Sequence, residues 1–357
     1  MLNLNNKKIL VSGGTGSWGN ELVKQILEKY VPEEIRIYSR GEIRQWEMRK
    51  KFNNNQRLKF IIGDVRDAGK LKISMRDVDF VFHLAALKHV PVCEENPNET
   101  VLTNIIGTQN IISAAIENNV GAVVHVSTDK AVDPLNLYGI TKSCAERLII
   151  AANNSPAKTK FVCVRGGNVL GTNGSIVPLL RDQIMLKGEV TLTDERMTRF
   201  FLNLEDAIRL IFKAVEDSMG GEIFVMKMPS VRITELIEVM IEELASGNIP
   251  VRKIGIRPGE KIHEVLVSRY DSGRVVDGGD YFIVLPLIPI KNLNEKYVNR
   301  SFSTDTEYSS EDTRRLGKAE IKEMLGREGW LNKEGPKQSA YLEMKKDPSL
   351  PLGVKYV

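Results

Sequence analysis

Short runs of Val, Ile, Leu and Phe recur through the first half of the chain, and the stretches between them return to apolar residues every three or four positions. The runs Lys8–Val11, Ile35–Tyr38, Leu58–Ile62, Phe80–Leu84, Val123–Val126 and Phe161–Val164 each end near Gly, Ser, Asp or Ala and read as strands. Segments such as Glu21–Tyr30 and Gln109–Asn119 carry the spacing of a helix with one apolar face. Strand–helix alternation of this kind predicts an α/β fold, a Rossmann-type doubly wound parallel sheet with helices on both faces.

After about Asn168 the pattern becomes irregular, and Gly171–Thr198 and Pro229–Leu285 carry most of the loop signals. Between them, Asn203–Val215 reads as a helix and Glu222–Val225 as a short strand that returns to the main sheet. The expected division is therefore interleaved. Residues 1–167 form a first domain that 202–225 rejoin, 168–201 and 226–326 form a smaller second domain, and 327–357 form a C-terminal tail whose GWLNKEGPK and DPSLPLG segments read as weakly structured.

Composition narrows the class. A net charge of +4 over 50 basic and 46 acidic residues is too balanced for a nucleic-acid protein. Cys93, Cys144 and Cys163 are odd in number, far apart and outside any CxxC pair, which argues against a disulfide framework and fits a reducing compartment. No signal peptide is visible and no apolar stretch reaches the ~18–20 residues of a membrane helix, so a soluble, cytoplasmic protein is expected. His83, His89, His125 and His263 show no metal spacing, and no metal is expected.

The first strand runs into Ser12-Gly13-Gly14-Thr15-Gly16-Ser17-Trp18-Gly19, and a helix follows. Glycines at 13, 16 and 19 let a pyrophosphate approach the backbone where unpaired N–H groups and the helix dipole favour negative charge. Glycines also make ordinary turns; the position directly after an apolar strand is what favours a dinucleotide. At the end of the second strand a carboxylate would bind the NAD ribose, but this chain reads Ser39-Arg40-Gly41-Glu42-Ile43-Arg44. Ser39, Arg40 and Arg44 suit the extra phosphate of NADP, with Glu42 as a local counter-argument and a solvated helix start as the plainer reading. Asp64-Val65, after the third strand, stands where it would cap the adenine or simply make a turn.

The fifth strand leads into Thr128-Asp129-Lys130, and Tyr138 and Lys142 follow at helical i,i+4 spacing. Ligands of open α/β sheets lie beyond the carboxyl ends of the strands, so the 128–130 group is expected to face the nicotinamide. A phenol titrates near 10, and a neighbouring Lys142 ammonium would bring Tyr138 into use as a base. Asp129 and Lys130 put an acid beside an amine; pairing in a turn is the alternative. As a base Lys130 must be neutral when it acts, which burial and nearby positive charge would promote.

With these motifs in place, the chain resembles the extended short-chain dehydrogenase/reductase superfamily and, within it, the inverting UDP-N-acetylglucosamine 4,6-dehydratases. The segments that carry the likeness are SGGTGSWG, YSRGEIRQ, IIGDVRD, AALKHVP, STDKA, DPLNLYGITK, GNVLGTNGSIVP, LTDERMTRF, GGEIFVMKMPS, IRPGEKIHE and EYSS, over about residues 7 to 326. The resemblance implies a recycled NADP, held by Leu84, Ala85, Lys88 and Thr103 as well as the residues above. It implies that Tyr138 takes the sugar 4-hydroxyl proton as hydride leaves carbon 4. Lys130 then removes the carbon 5 proton while Asp129 protonates the departing 6-hydroxyl, and Thr128 hydrogen-bonds the 4-oxygen. Lys88, His89, Asn168, Val177, Arg181, Thr193, Arg199, Arg257 and Glu260 match segments that hold the UDP-sugar, with Arg199 and Arg257 as diphosphate clamps. Residues 1–167 would then be the NADP-binding domain and the second domain the substrate-binding one, in a homo-oligomer of which a hexamer is one form. The dehydratases it resembles open the pseudaminic acid route, and the resemblance implies the inverting group because retaining and epimerising relatives usually have methionine where this chain has Tyr138.

Two positions depart from the family pattern: Gly166, where it has tyrosine, and Gly41, where it has aspartate. Competing readings are a retaining or epimerising dehydratase, a 4-epimerase on a UDP-sugar, and a non-catalytic NADP-binding regulator on the same fold.

Overall fold

The computed structural model describes residues 2–172, 174–291, 293–297, 307–332 and 334. Six strands alternate with helices in the first half: β1 (Lys8–Ser12), β2 (Glu34–Ser39), β3 (Leu58–Ile62), β4 (Phe80–His83), β5 (Ala122–Thr128) and β6 (Lys160–Gly166). Ten shorter strands follow: β7 (Asn168–Val169), β8 (Val190–Leu192), β9 (Thr198–Leu202), β10 (Ile223–Met226), β11 (Ser230–Arg232), β12 (Val251–Lys253), β13 (Val265–Val267), β14 (Val275–Asp277), β15 (Tyr281–Val284) and β16 (Tyr308–Ser309).

The main sheet has nine strands in the order β14-β15-β10-β6-β5-β4-β1-β2-β3. Neighbours from β3 to β10 are parallel, and β15 and β14 continue the edge antiparallel. The interiors of β1 and β4–β6 are mostly buried apolar residues, among them Ile9, Leu10, Val11, Val81, Phe82, Val123, Val124, Phe161 and Val162, as expected of strands covered on both faces. The helices Ser17–Lys29 and Leu204–Asp217 touch on one face, while Ala68–Ser74, Gly107–Glu117 and Leu137–Ala151 pack along the other. Strand order reverses between β1 and β4, which opens a crevice at their carboxyl ends. The expected α/β, doubly wound architecture is thus present, with smaller sheets beside it.

The strand expected at Glu222–Val225 is β10, and it does return to the main sheet, parallel to β6. The stretch Pro229–Leu285 is more regular than its loop signals suggested. It contains the helix Ile233–Leu244, whose buried Ile233, Leu236, Ile237, Met240 and Leu244 fall at helical spacing, and the hairpin β14–β15. Gly171–Thr198 likewise holds a helix over Ile176–Asp182 and the strand β8. These elements build a second apolar cluster around Val177, Leu180, Phe201, Val231, Leu236 and Leu325, separate from the core of the main sheet. The first residues of the tail also depart from expectation. A helix spans Lys318–Arg327, Trp330 and Leu331 pack against the second cluster, and the Asn332 carbonyl accepts from Arg181 (2.9 Å). The DPSLPLG segment lies outside the described residues, as does Asn173 of the GNVLGTNGSIVP motif.

Candidate active site

The loop after β1 turns at Gly13, where φ is +68° and a Cβ would lie 2.8 Å from the Ala85 nitrogen, so only glycine fits. Gly16 then begins the helix Ser17–Lys29, which has no side-chain cap and no acidic residue in its first turn. Its N–H groups and positive dipole end are therefore available to an anion. Thr15, Ser17 and Trp18 are partly buried around this loop, and Leu84 and Ala85 form its far wall, the Leu84 N–H bonding the Ser12 carbonyl. Thr103 is buried with its Oγ1 lacking a hydrogen-bond partner in the protein. An uncapped helix start, a glycine cradle and an orphaned hydroxyl fit a dinucleotide.

At the end of β2, the Ser39 hydroxyl accepts from Gln45 Nε2 at 3.0 Å, and Arg40 is exposed with its guanidinium 3.9 Å from Asp64. Arg44 is exposed at the start of the next helix. Asp64 accepts from the Arg66 backbone and guanidinium (2.6–2.9 Å); burial raises its carboxyl, but these contacts outweigh that and hold it below the usual range. The side chain of Asp64 thus shapes a turn, and that of Val65 is buried against Gly107.

Beyond β5 the chain makes a single 3-10 turn over Asp129–Ala131. Thr128 Oγ1 donates to Asp129 Oδ1 (2.7 Å), and Lys130 Nζ donates to the same oxygen (3.1 Å). Tyr138 opens the helix Leu137–Ala151, which Asn136 caps by accepting from the Gly139 N–H (2.9 Å). That helix lies so close to the turn that a Cβ on Gly139 would stand 2.1 Å from the Lys130 carbonyl oxygen. Burial pushes the Tyr138 phenol up to about 12, against the pull of the Lys130 ammonium and the Thr128 hydroxyl. Asp129, Lys130 and Tyr138 therefore meet in one place, at the carboxyl end of β5.

Two electrostatic details differ from expectation. The Lys142 ammonium has partners of its own: it donates to the Val126 carbonyl (2.6 Å) and sits 2.8 Å from His125 Nε2. Burial brings Lys142 down to about 8, although Cys163 and Glu146 oppose it. Lys130 is not neutral either. Burial presses its amine down, but Asp129 and Glu264 outweigh that and hold it above the ordinary lysine value. Glu264 Oε1 lies 3.3 Å from Lys130 Nζ and 3.6 Å from Arg199 Nε. In the sequence, Glu264 is marked only by its place at the end of the motif IRPGEKIHE.

The other expected substrate contacts divide into two sets. Lys88 and His89 are exposed at the start of the helix Val90–Glu95, and desolvation together with the Lys130 charge lowers Lys88. Arg257 is exposed in a turn closed by the Glu260 N–H on the Arg257 carbonyl (3.1 Å). That turn reaches the active-site loop through Asn136 Nδ2 on the Gly259 carbonyl (2.9 Å) and Lys261 Nζ on the Val132 carbonyl (2.5 Å). Asn168 lies partly buried in β7. Arg199 departs from the expectation of a diphosphate clamp. It is buried, and its guanidinium donates to the carbonyls of Thr198, Lys261 and Ile262 (2.7–2.8 Å). Val177 is fully buried in the second core, Arg181 is buried and bonded to the tail, and Thr193 bonds Met197 (2.9 Å). Gly166 faces the Trp18 ring, 3.4 Å from where a Cβ would be. Among the described residues no group of three or more His, Cys, Asp or Glu is placed to hold a metal ion, and no helix is long and apolar enough to cross a membrane.

This chain belongs to the polysaccharide biosynthesis protein family, whose model matches residues 9–286. Among curated proteins it is 46% identical to an uncharacterized membrane protein of Methanocaldococcus jannaschii, over 89% of this chain and 95% of that one. It is also 46% identical to the inverting UDP-N-acetylglucosamine 4,6-dehydratase of Campylobacter jejuni (80% and 85%), and 40% identical to the UDP-glucose 4-epimerase of Rickettsia prowazekii (92% and 98%). Of solved structures, the Bacillus thuringiensis protein Pen matches with a TM-score of 0.84 at 37% identity, over 91% of this chain and 100% of that one. The dTDP-glucose 4,6-dehydratase DesIV of Streptomyces venezuelae, solved with NAD bound, matches with a TM-score of 0.66 at 26% identity (71% and 86%).

Proposed function

We propose that this chain is a nicotinamide-dinucleotide-dependent enzyme of nucleotide-sugar modification and, within that class, the inverting 4,6-dehydratase of UDP-N-acetylglucosamine. The product would be UDP-2-acetamido-2,6-dideoxy-β-L-arabino-hexos-4-ulose. The observation that carries the reading is the carboxylate–amine pair of Asp129 and Lys130 (3.1 Å) beside the half-buried Tyr138, at the carboxyl end of β5. A 4-epimerase, the second reading favoured by the Rickettsia relative, needs a base at the 4-hydroxyl but no second acid and base at carbons 5 and 6.

The loop from Gly13 to Gly19, with Leu84, Ala85 and Thr103, would hold the dinucleotide, and Arg40 and Arg44 would hold the additional phosphate of NADP. Bound there, the cofactor supplies a site that takes hydride from carbon 4 and gives it back at carbon 6. Tyr138 accepts the 4-hydroxyl proton while Thr128 hydrogen-bonds the 4-oxygen; the positive charge of a bound nicotinamide would favour the phenolate this step needs, against the burial that raises the phenol. The resulting ketone acidifies the carbon 5 proton, which Lys130 takes, and Asp129 protonates the 6-hydroxyl as it departs as water. Carbon 5 would then be reprotonated from the opposite face as carbon 6 regains the hydride, which inverts carbon 5. For this step the pair must hold its shared proton on Asp129, one transfer along the observed Lys130–Asp129 hydrogen bond. Lys88, His89, Arg257 and Glu260 flank the same opening and would meet the sugar and its diphosphate, and the second cluster would form the substrate-binding domain. Incubation of the purified protein with UDP-N-acetylglucosamine should yield a product lighter by one water with no net reduction of cofactor. A product of unchanged mass would instead identify an epimerase.

A further inference from the structure

Glu264 is an uncommon neighbour for a working amine. It lies 134 residues from Lys130 in sequence, just before β13, and only 3% of its side chain is exposed. Its backbone is fixed on both sides by Ser310, whose N–H donates to the Glu264 carbonyl (2.8 Å) and whose Oγ accepts from the Glu264 N–H (2.9 Å). Oε1 points at Lys130 Nζ (3.3 Å) and is backed by Arg199 Nε (3.6 Å), while Oε2 is buried without a partner. A buried carboxylate held this way is expensive unless cations face it, and a cation facing it is correspondingly stabilised.

We propose that Glu264 is a positioning residue that clamps the Lys130 amine against Asp129 and sets the pH range in which that amine accepts a proton. This rests on reading Lys130 as the group that takes the carbon 5 proton. If Asp129 carries its proton until the 6-hydroxyl leaves, it cannot offset the ammonium formed on Lys130 in the same step. Glu264 can, because its Oε1 faces both Lys130 Nζ (3.3 Å) and Arg199 Nε (3.6 Å), and Arg199 is anchored on three backbone carbonyls. The groups facing Lys130 are Asp129 on its own turn, Glu264 before β13, Arg199 from β9, Lys88 after β4 and Tyr138 from the neighbouring helix. Of these, Asp129 and Glu264 raise its affinity for a proton and Arg199 lowers it. Removing the Glu264 charge leaves only one group favouring the ammonium.

The test titrates the amine directly in the full, cofactor-loaded protein. Reductive methylation of Lys130 at pH 8, read by peptide mass spectrometry, reports the neutral fraction. Glu264→Gln should raise that rate by about tenfold or more, the ratio for a one-unit change, while Glu264→Asp, which keeps the charge, should stay nearer wild type. A Glu264→Gln rate equal to wild type overturns the proposal; if that variant does not fold, Glu264→Ala is read the same way, a faster rate supporting the proposal and a wild-type rate overturning it. In turnover, the limb of kcat that rises with pH should move to lower pH in Glu264→Gln with little change in KM. A loss of kcat with that limb unmoved would indicate a purely structural role and overturn it as well. Faster labelling in a protein that does not dehydrate UDP-N-acetylglucosamine would sink the functional reading and leave the charge-setting role standing.

Discussion

Lys130 holds its proton between two carboxylates, and that single side chain concentrates the chemistry of the site. In the account above it is the base at carbon 5, so Lys130→Ala should lower turnover by about 10²–10⁴-fold, the usual worth of a positioned acid or base. Cofactor binding should persist, since the dinucleotide loop is built from other residues; product mass and bound nicotinamide measured on the same sample check both. Full turnover by Lys130→Ala would remove the residue from the mechanism. The residue types at 128–130, 138 and 142 were legible in the sequence because a base, an acid and a phenol recur at fixed spacing after a strand. Their charge states were not. The pairing of Lys142 with His125 and Val126, and of Lys130 with Glu264, depends on contacts between residues 16 to 134 positions apart, which no local pattern encodes.

At the scale of elements, one buried ion pair fastens three segments. Arg165 on β6 donates to both Glu146 oxygens (2.8 Å) on the Tyr138 helix and to the Leu266 carbonyl (3.1 Å) on β13. Arg165→Met removes one partner and strands a buried Glu146, so stability should fall by about 3–5 kcal/mol, seen as a lower urea midpoint. An unchanged midpoint would mean that the helix is held by apolar packing alone. The strands β1–β6 are readable because each carries a short stretch rich in Val, Ile, Leu or Phe that ends near a turn residue. The β14–β15 hairpin was not read, although Gly278-Gly279-Asp280 between two apolar runs is a recognisable turn signal. The helix Ile233–Leu244 was passed over for a similar reason: its periodicity is clear, but it sits between loop-forming segments that dominate the local composition.

Over the whole molecule, the glycine loop after β1 and the Asp129–Lys130–Tyr138 group both follow the carboxyl ends of parallel strands of the main sheet. A ligand that binds only the folded state stabilises it by about 2.7 kcal/mol at a hundred times its Kd. NADP should therefore raise the Tm of the cofactor-free protein by more than NAD at equal concentration, and Arg40→Ala with Arg44→Ala should erase the difference. A larger shift with NAD would reverse the cofactor assignment and give more weight to Glu42. The likeness of the chain to dehydratases and epimerases alike means that overall architecture does not separate the two reactions; Asp129 and Lys130 beside Tyr138 are the groups that the proposed dehydration needs.

The most direct test of those groups is proton NMR of the sugar formed from UDP-N-acetylglucosamine in deuterated water. Elimination through Asp129, Lys130 and Tyr138 predicts a new carbon 6 methyl signal, deuterium at carbon 5 and the L-arabino configuration there. A carbon 5 that keeps its original proton, or a sugar changed only at carbon 4, would contradict the account.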